Sequence, residues 1–590
     1  MLHRRLAALL AGVLCFQAAA SSHAVPPMNA TAPADRPADV VVLNGKVLTV
    51  DAKFTVAEAA AIRDGVFVAV GSNADVKKLI GDRTRVIDAR GKSVLPGLID
   101  SHVHAIGVAR EQAVQPFRQL GSIAEIQDWV RQQAAATPAG QWIQIPRVDV
   151  TRIRERRFPT RAELDAAAPQ HPVVFNWQYA ARQVQVVNTA ALRAANISRE
   201  TPDPPGGKIV KDADGEMTGV LEDPRGLVAK HLPPRQVSEE MTLEALAAVH
   251  RAYNESGITS VFERNSNVDG FRLYEKLKDA GRLTVRTAVT IGLRSDGTVE
   301  GTEKFIESLP FRFGDGEDWL RVGPLKIAAD GGILYGTAYM REPYGTRAAA
   351  LYGITDPAYR GSLSLTPEKI RDMIRTGHRL GWQMSSHVTG DAGVDIVLDA
   401  VEAADRDSPI KDRRYTLIHA YFPNDDAIRR AAKLGVCVDT QPAWYYKDTD
   451  AIVTALGEER LKSFIGVAGW LRGGVKVAIN TDHMSGIDPN TSLNPFNPFL
   501  TMCTAITRKT EGGRVIGPDE RVSREDALRM MTINAAYLSF DETRKGSIEV
   551  GKLGDVAVLS DDFMTCVPDQ IKAIQVQATV VGGKVVFERK

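Results

Sequence analysis

The chain has little cysteine: four residues in 590, one of which, Cys15, sits near the N-terminus. Cys437, Cys503 and Cys566 are far apart and odd in number, and no Cys-x-x-Cys pair exists. A disulfide framework and a thiolate metal site are therefore not expected, and buried free thiols are. Charge of either sign is not in excess, the formal net charge being +1. No global field draws the chain to nucleic acid or an anionic membrane, and no basic cluster interleaved with aromatics supplies a local one. Gly-x-Gly-x-x-Gly after a strand pattern is missing, as is a phosphate loop, so dinucleotide redox chemistry and phosphate transfer lack support. The apolar run over residues 6–20 is too short for a membrane span.

That run instead reads as a secretory leader. His3, Arg4 and Arg5 precede it, and Ser22-His23-Ala24 offers a small-x-small cleavage site. Leu14 before Cys15 is too bulky for the usual lipoprotein cleavage site. Residues 1–24 are thus expected as a signal peptide and 25–37, rich in Ala and Pro, as a flexible lead-in. Export to a periplasm or out of the cell follows. No stable membrane insertion is expected once the leader is removed.

Hydrophobic content of 44% and charged content of 25% are ordinary for a globular enzyme. Residues 39–50 are β-rich around Asn44-Gly45, a hairpin signal. Short strands continue to residue 88, and the same texture returns over 555–587. Neither piece has enough apolar surface alone, so 38–92 and 545–590 are expected to form one β-sandwich. From Leu95 short buried strands alternate with helical patterns, the mark of a parallel sheet with crossover helices. Eight strands are expected, at 97–104, 258–263, 286–291, 322–329, 383–387, 415–419, 436–440 and 477–482. The fold class is therefore α/β: a (β/α)8 TIM-like barrel over 93–105 plus 246–544. The segment 106–245 is too long for a crossover and is expected as an inserted subdomain over the barrel mouth, where it would shape a substrate pocket. Its run Arg152-Ile-Arg-Glu-Arg-Arg157 reads as a solvated face.

The chemistry starts at Leu95-Pro-Gly-Leu-Ile-Asp-Ser-His-Val-His104. Alternate residues of a strand point the same way, so His102 and His104 leave one side and can share one metal ion. The fourth strand carries Lys326, followed by Asp330. The fifth ends at His387, the sixth at His419 and the eighth at Asp482. The C-terminal ends of parallel barrel strands converge on one opening, so these groups would meet there. Neutral imidazoles with a carboxylate suit a divalent ion such as Zn2+. Tyr335, His483 and Trp142 are candidate substrate contacts.

These motifs resemble the amidohydrolase superfamily over nearly the whole mature chain. The resemblance rests on the Leu95–His104 segment, Ser386-His387, Ile418-His419, Asn480-Thr-Asp482, Ile533-Asn-Ala-Ala536 and Gly546-Ser-Ile-Glu-Val-Gly-Lys-Leu-Gly-Asp555. Pro159-Thr-Arg-Ala-Glu-Leu-Asp165, Asn188-Thr-Ala-Ala-Leu192 and Asp214-Gly-Glu-Met-Thr-Gly-Val-Leu221 make the chain similar to its type 3 branch, which includes N-substituted formamide deformylases. The chain departs from that branch in three places. Tyr335-Gly336 replaces a segment that often carries arginine, Gln183 stands where histidine is frequent, and Gln144-Ile-Pro-Arg-Val148 replaces a Gly-Arg-Gly-Trp run. The resemblance implies two metal ions. His102, His104 and Asp482 would hold one and His387 and His419 the other, with Lys326 N6-carboxylated as the bridge.

The expected activity is cleavage of an amide-type C–N bond in an N-acyl or N-formyl amine by metal-activated hydroxide, with Asp482 as general base and then acid. The same site would also attack an ester, lactone or phosphotriester. An exported small-molecule binding protein is the non-enzymatic alternative, and it would not need Asp482. The expected partner is a small-molecule substrate, with a homo-oligomer left open.

Overall fold

Barrel strand one (Leu98–Val103) is buried at every position, as a strand covered on both faces must be. The computed structural model describes residues 36–590 apart from 180, 181 and 235, so the expected leader and nearly all of the lead-in lie outside the described residues. Strand one pairs in parallel with Ile258–Ser266. Arg286–Gly292, Leu320–Ala328, Met384–Val388, Thr416–His419, Cys437–Thr440 and Lys476–Ile479 follow in sequence order, all parallel, as barrel strands three to eight. This is the expected eight-stranded sheet.

The sheet closes through a short stretch beyond strand eight. Regular pairing stops at Ile479, the chain turns, and His483 then bridges Val103 in parallel. The His104 N–H donates to the His483 carbonyl at 2.9 Å. The Thr481 hydroxyl and N–H donate to Asp100 at 2.5 and 3.2 Å. Asp482 therefore sits in a kink between two points of closure, not at the end of a straight strand.

The crossover helices carry legible local signals. Helix Asp425–Leu434, between strands six and seven, starts at Asn424, whose side chain accepts from the Ala427 N–H. Asp425 and Asp426 favour its positive end, and Gly435 ends it at φ 66°. Ala427, Ala431 and Leu434 are the face it buries against the sheet.

Both ends of the chain build two further sheets. A four-stranded sheet holds Val66–Gly71, Ala59–Arg63, Val40–Leu43 and Arg85–Asp88; a six-stranded sheet holds Lys584–Glu588, Val576–Val581, Val556–Leu559, Ser93–Pro96, Lys46–Leu48 and Val56–Ala57. Val40, Val42, Ile62 and Phe67 share one core with Val94, Val556 and Val580. The Asn44-Gly45 turn is not a hairpin, because the strands flanking it belong to different sheets. Asn44, at φ 55°, is held by Asn73 and Asp88, and Gly45 lies so close to Val94 that a Cβ there would be 2.8 Å from its methyl group. The chain turns a sandwich corner at this point. Ser93–Pro96 also falls on the terminal side: its backbone pairs with Val556–Leu559, so the barrel begins after Gly97 and not at residue 93.

The long segment after strand one carries its own five-stranded sheet, ordered Lys208–Lys211, Met217–Glu222, Arg182–Val187, Val173–Tyr179 and Ile143–Gln144. Ile126, Val130, Phe175 and Trp177 from this segment share a core with Tyr335, Tyr421, Trp444 and Phe464, from the chain following strands four, six and seven. It therefore rests on the C-terminal mouth of the barrel. Arg152 departs from the solvated-face expectation, whereas Arg154, Glu155 and Arg157 are exposed as expected. The Arg152 side chain is only 12% exposed and makes a bidentate pair with the fully buried Asp448 at 2.9 and 2.8 Å. Arg157 instead pairs with Glu163 in the capping box of helix Arg161–Ala167. Among the described residues no helix is long and apolar enough to cross a membrane. Cys437, Cys503 and Cys566 are free; the first two are buried and the third half-buried.

Candidate metal centre

His102 lies on strand one, and His104 follows it as the residue that opens helix Ala105–Val114. Their Nε2 atoms both lie 3.3 Å from Oδ1 of Asp482. One ligand atom from each of these three residues falls within 4.8 Å of the others. Lys326 Nζ is 3.4 Å from His102 Nε2. The His102 and His419 rings are 5.3 Å apart, and His419 and His387 are 4.4 Å apart. The structure thus brings all six expected groups together at the strand ends.

The backbone is strained where it aims these groups. His419, Ala420 and Asp482 take φ values of 81°, 44° and 48°, costly for residues other than glycine. Hydrogen bonds hold the turns in place: the Ala420 N–H donates to Val388 O at 2.8 Å, and the Asp482 N–H to Asn480 Oδ1 at 3.1 Å.

Burial sets the protonation states. It pushes His102 and His419 well below the ordinary imidazole range, and His387 down to about 4, with Lys326 adding to the shift in each case. Neutral imidazoles keep a lone pair for a cation. Lys326 is itself lowered to about 8, first by burial, against the pull of Asp482. Asp482 Oδ1 is buried without a hydrogen-bond partner although two imidazole nitrogens face it. A carboxylate oxygen and two imidazole nitrogens converging without a hydrogen bond between them are a donor set that fits a divalent ion.

Neighbours orient the rings. His419 Nδ1 is 2.8 Å from Gln441 Oε1, an acceptor, so the proton sits on Nδ1 and Nε2 remains as the ligating atom. Gln441 donates onward to Asn480 at 2.8 Å, and Asn480 donates to Asp439, which pairs with the buried Arg264 at 2.8 Å. His387 Nε2 donates to the Gly331 carbonyl at 3.0 Å, so a ligand bond from His387 would come from Nδ1. Glu263 on strand two accepts from the Tyr274 hydroxyl at 2.8 Å and the Ile106 N–H at 3.3 Å, bracing the helix that His104 opens. Burial raises its carboxyl to about 7.

Asp330 is not a ligand. It accepts from the N–H groups of Tyr339, Thr389 and Gly390, which consumes its oxygens in bracing the loop after strand four. His483 is no substrate contact either. One ring nitrogen meets the Tyr253 hydroxyl at 2.8 Å, the other the Gly486 carbonyl at 2.7 Å, and the ring is fully buried. Trp142 packs on the cluster around Val187 and Leu192. Tyr335 is buried at the mouth. Its hydroxyl donates to Asp149 at 3.0 Å and accepts from Arg147 at 3.2 Å. It lines a chamber of about 400 Å3 against the insertion, and a second cavity of about 450 Å3 lies across the Arg147–Asp149 segment. Of the six gathered groups only His104 has appreciable exposure, 26% of its side chain.

Gln441, Arg264, Asp439 and Glu263 were not singled out from the sequence. Three of them are charged residues inside otherwise apolar barrel strands, a readable signal; Gln441, one residue past strand seven, offers none.

Comparison with known proteins agrees with this geometry. The model of the Amidohydrolase family matches residues 85–587. The Bacillus subtilis protein YtcJ is 29% identical over 542 residues, covering 90% of this chain and 96% of its own. The N-substituted formamide deformylase of Arthrobacter pascens is 29% identical over 564 residues, 93% and 98% of the two chains. The crystal structure of an uncharacterized metal-dependent hydrolase from Pyrococcus horikoshii superimposes with a TM-score of 0.64 at 22% identity, over 90% of this chain and 99% of that one.

Proposed function

The chain belongs to the amidohydrolase family, and on that premise we propose that it is a metal-dependent hydrolase cleaving the amide-type C–N bond of an N-acyl or N-formyl amine. The observation that carries this is the buried Asp482 Oδ1, 3.3 Å from the Nε2 atoms of both His102 and His104 without a hydrogen bond to either. The bond type draws support from the relative in Arthrobacter pascens that is a deformylase of N-substituted formamides.

His102, His104 and Asp482 would hold one Zn2+ ion, and His387 and His419 a second, with Lys326 carboxylated between them. When bound, such ions polarise a carbonyl and make water acidic near neutral pH. The chain's own residues do the rest. Asp482 takes the proton of the attacking water on a carboxylate oxygen and passes it to the departing nitrogen. Gln441 keeps the His419 proton on Nδ1. The buried walls around His102 and His419 exclude bulk water. The N-terminal leader reading adds export to a periplasm or beyond.

The test pairs metal analysis with a substrate panel on one preparation. Chelation is expected to remove metal and activity together, and Zn2+ to restore both. Asp482→Asn is expected to lower kcat by about 10²–10⁴. Turnover of aryl esters with none of N-acyl amines would transfer the reading to ester hydrolysis. Intact function in Asp482→Asn would mean a binding protein. An unchanged metal count in Lys326→Ala would end the bridging role.

A further inference from the structure

The barrel interior changes character just before its mouth. Ile99, Phe262, Ala288, Cys437 and Ala478, on strands one, two, three, seven and eight, share one apolar cluster. Two positions further along each of these strands stand Ser101, Arg264, Thr290, Asp439 and Asn480, on the same face by the alternation of a strand. All five are buried. The Arg264 guanidinium lies 5.1 Å over the Phe262 ring, so a polar layer rests directly on the apolar one.

Arg264 is the centre of that layer. Its Nε donates to the Ser101 carbonyl at 2.9 Å, its Nη1 to the Thr290 hydroxyl at 3.4 Å and its Nη2 to Asp439 Oδ2 at 2.8 Å. Asp439 Oδ1 accepts from the Ser101 hydroxyl and from the Asn480 amide, each at 2.5 Å. The two charged side chains are 1% and 0% exposed. Replacing such a pair with uncharged residues of similar volume is often neutral for stability or better, so stability alone does not account for it.

Bonds from the layer run up to the groups gathered at the mouth. The Ser101 carbonyl and the His102 N–H are the two ends of one planar peptide unit. Arg264 holds the first, and Asp100 accepts the second at 3.2 Å. Asn480 Oδ1 accepts from the Asp482 N–H at 3.1 Å, where the backbone is held at φ 48°. The same oxygen accepts from the Gln441 amide at 2.8 Å, and Gln441 Oε1 takes the proton of His419 Nδ1.

We propose that Arg264 and Asp439 are positioning residues of the metal centre, one buried ion pair that fixes His102, His419 and Asp482 together through a shared polar layer. This rests on the metal-dependent reading above. His102 and Asp482 belong to one expected ion and His419 to the other, so the pair ties the geometry of the two sites to each other.

The test compares the native protein with two variants. Arg264→Met with Asp439→Asn removes both charges and leaves an amide oxygen for Ser101 and Asn480. Arg264→Lys keeps the charge but cannot reproduce the guanidinium fork. The readouts are the unfolding temperature of the metal-free protein, Zn2+ affinity by competition with a chromogenic chelator, and the visible absorption spectrum after loading with Co2+, which reports ligand geometry. In both variants the unfolding temperature is expected to stay close to native, Zn2+ affinity to fall about 10–100-fold and the Co2+ spectrum to change. Native affinity and a native spectrum overturn the proposal; accompanied by a lower unfolding temperature, they mark a pair that is merely structural. If the double variant does not fold, Arg264→Lys decides by the same readouts. None of them needs a substrate, so failure to cleave any amide would refute the reaction and leave this result standing. A native protein that takes up no divalent ion would end both.

Discussion

Replacing Arg152 with methionine is expected to loosen the insertion from the barrel. The guanidinium, on the turn Val150–Arg152, meets Asp448, which is fully buried on helix Pro442–Leu456. Without Arg152 the carboxylate keeps, among the described residues, only the Thr151 hydroxyl at 3.1 Å as a side-chain donor. Breaking one partner out of a buried pair costs about 3–5 kcal/mol, chiefly from the charge left behind. Arg152 Nη1 is itself buried without a hydrogen-bond partner, so burial of the pair is incompletely compensated in the native protein. The double variant Arg152→Met with Asp448→Leu should therefore recover most of the single variant's loss. Calorimetric unfolding, with limited proteolysis of the insertion, reads both effects. Activity should fall with docking, because Gln441, which orients His419, directly precedes this helix. If Arg152→Met unfolds at the native temperature and its insertion is no more easily cleaved, the pair carries no weight and Arg152 behaves as the solvated residue its sequence suggests.

Gln441→Leu removes the acceptor that fixes the His419 proton, and metal affinity measured by chelator competition is expected to drop about 10–100-fold with the unfolding temperature little changed. Gln441→Glu, which keeps an acceptor, should restore part of it; unchanged affinity in the leucine variant would remove the orienting role. Glu163 is held down to about 2 by its hydrogen bonds to Arg157 and to Thr160. Its folded-state value lies below its unfolded one, so its contribution is full above about pH 4.5 and is lost as pH falls toward 2. The stability gap between native protein and Glu163→Gln should be about 0.5–1 kcal/mol near neutrality and close below pH 4.5 in denaturant titrations; a gap that widens in acid would contradict the assignment.

The gathering of the candidate site was largely legible in the sequence because groups at strand ends follow a rule of position. His102, His387 and His419 each end or nearly end a short apolar run, and the topology of a closed parallel sheet then forces them together. Other features depend on contacts that no local pattern encodes. His483 looked like a pocket residue because it follows Asp482, but its ring is consumed by Tyr253 and Gly486 while its backbone closes the barrel. Asn44-Gly45 carries the chemistry of a tight turn, and that chemistry serves a crossing between sheets as well as a hairpin. Arg152 sits in a run that reads as surface, and only the distant Asp448 draws it inward. Gln441 is an ordinary polar residue until the fold sets it beside His419.

The shared core of the insertion and the loops after strands four, six and seven separates two inheritances in one molecule. Tyr335, Gln183 and Gln144 all line the one chamber, whereas His102, His104, His387, His419 and Asp482 gather at the barrel strand ends. The chamber wall and the strand-end groups thus come from different stretches of chain. Substitutions on the chamber walls are expected to leave the strand-end groups in place as long as the Arg152–Asp448 pair keeps the insertion docked.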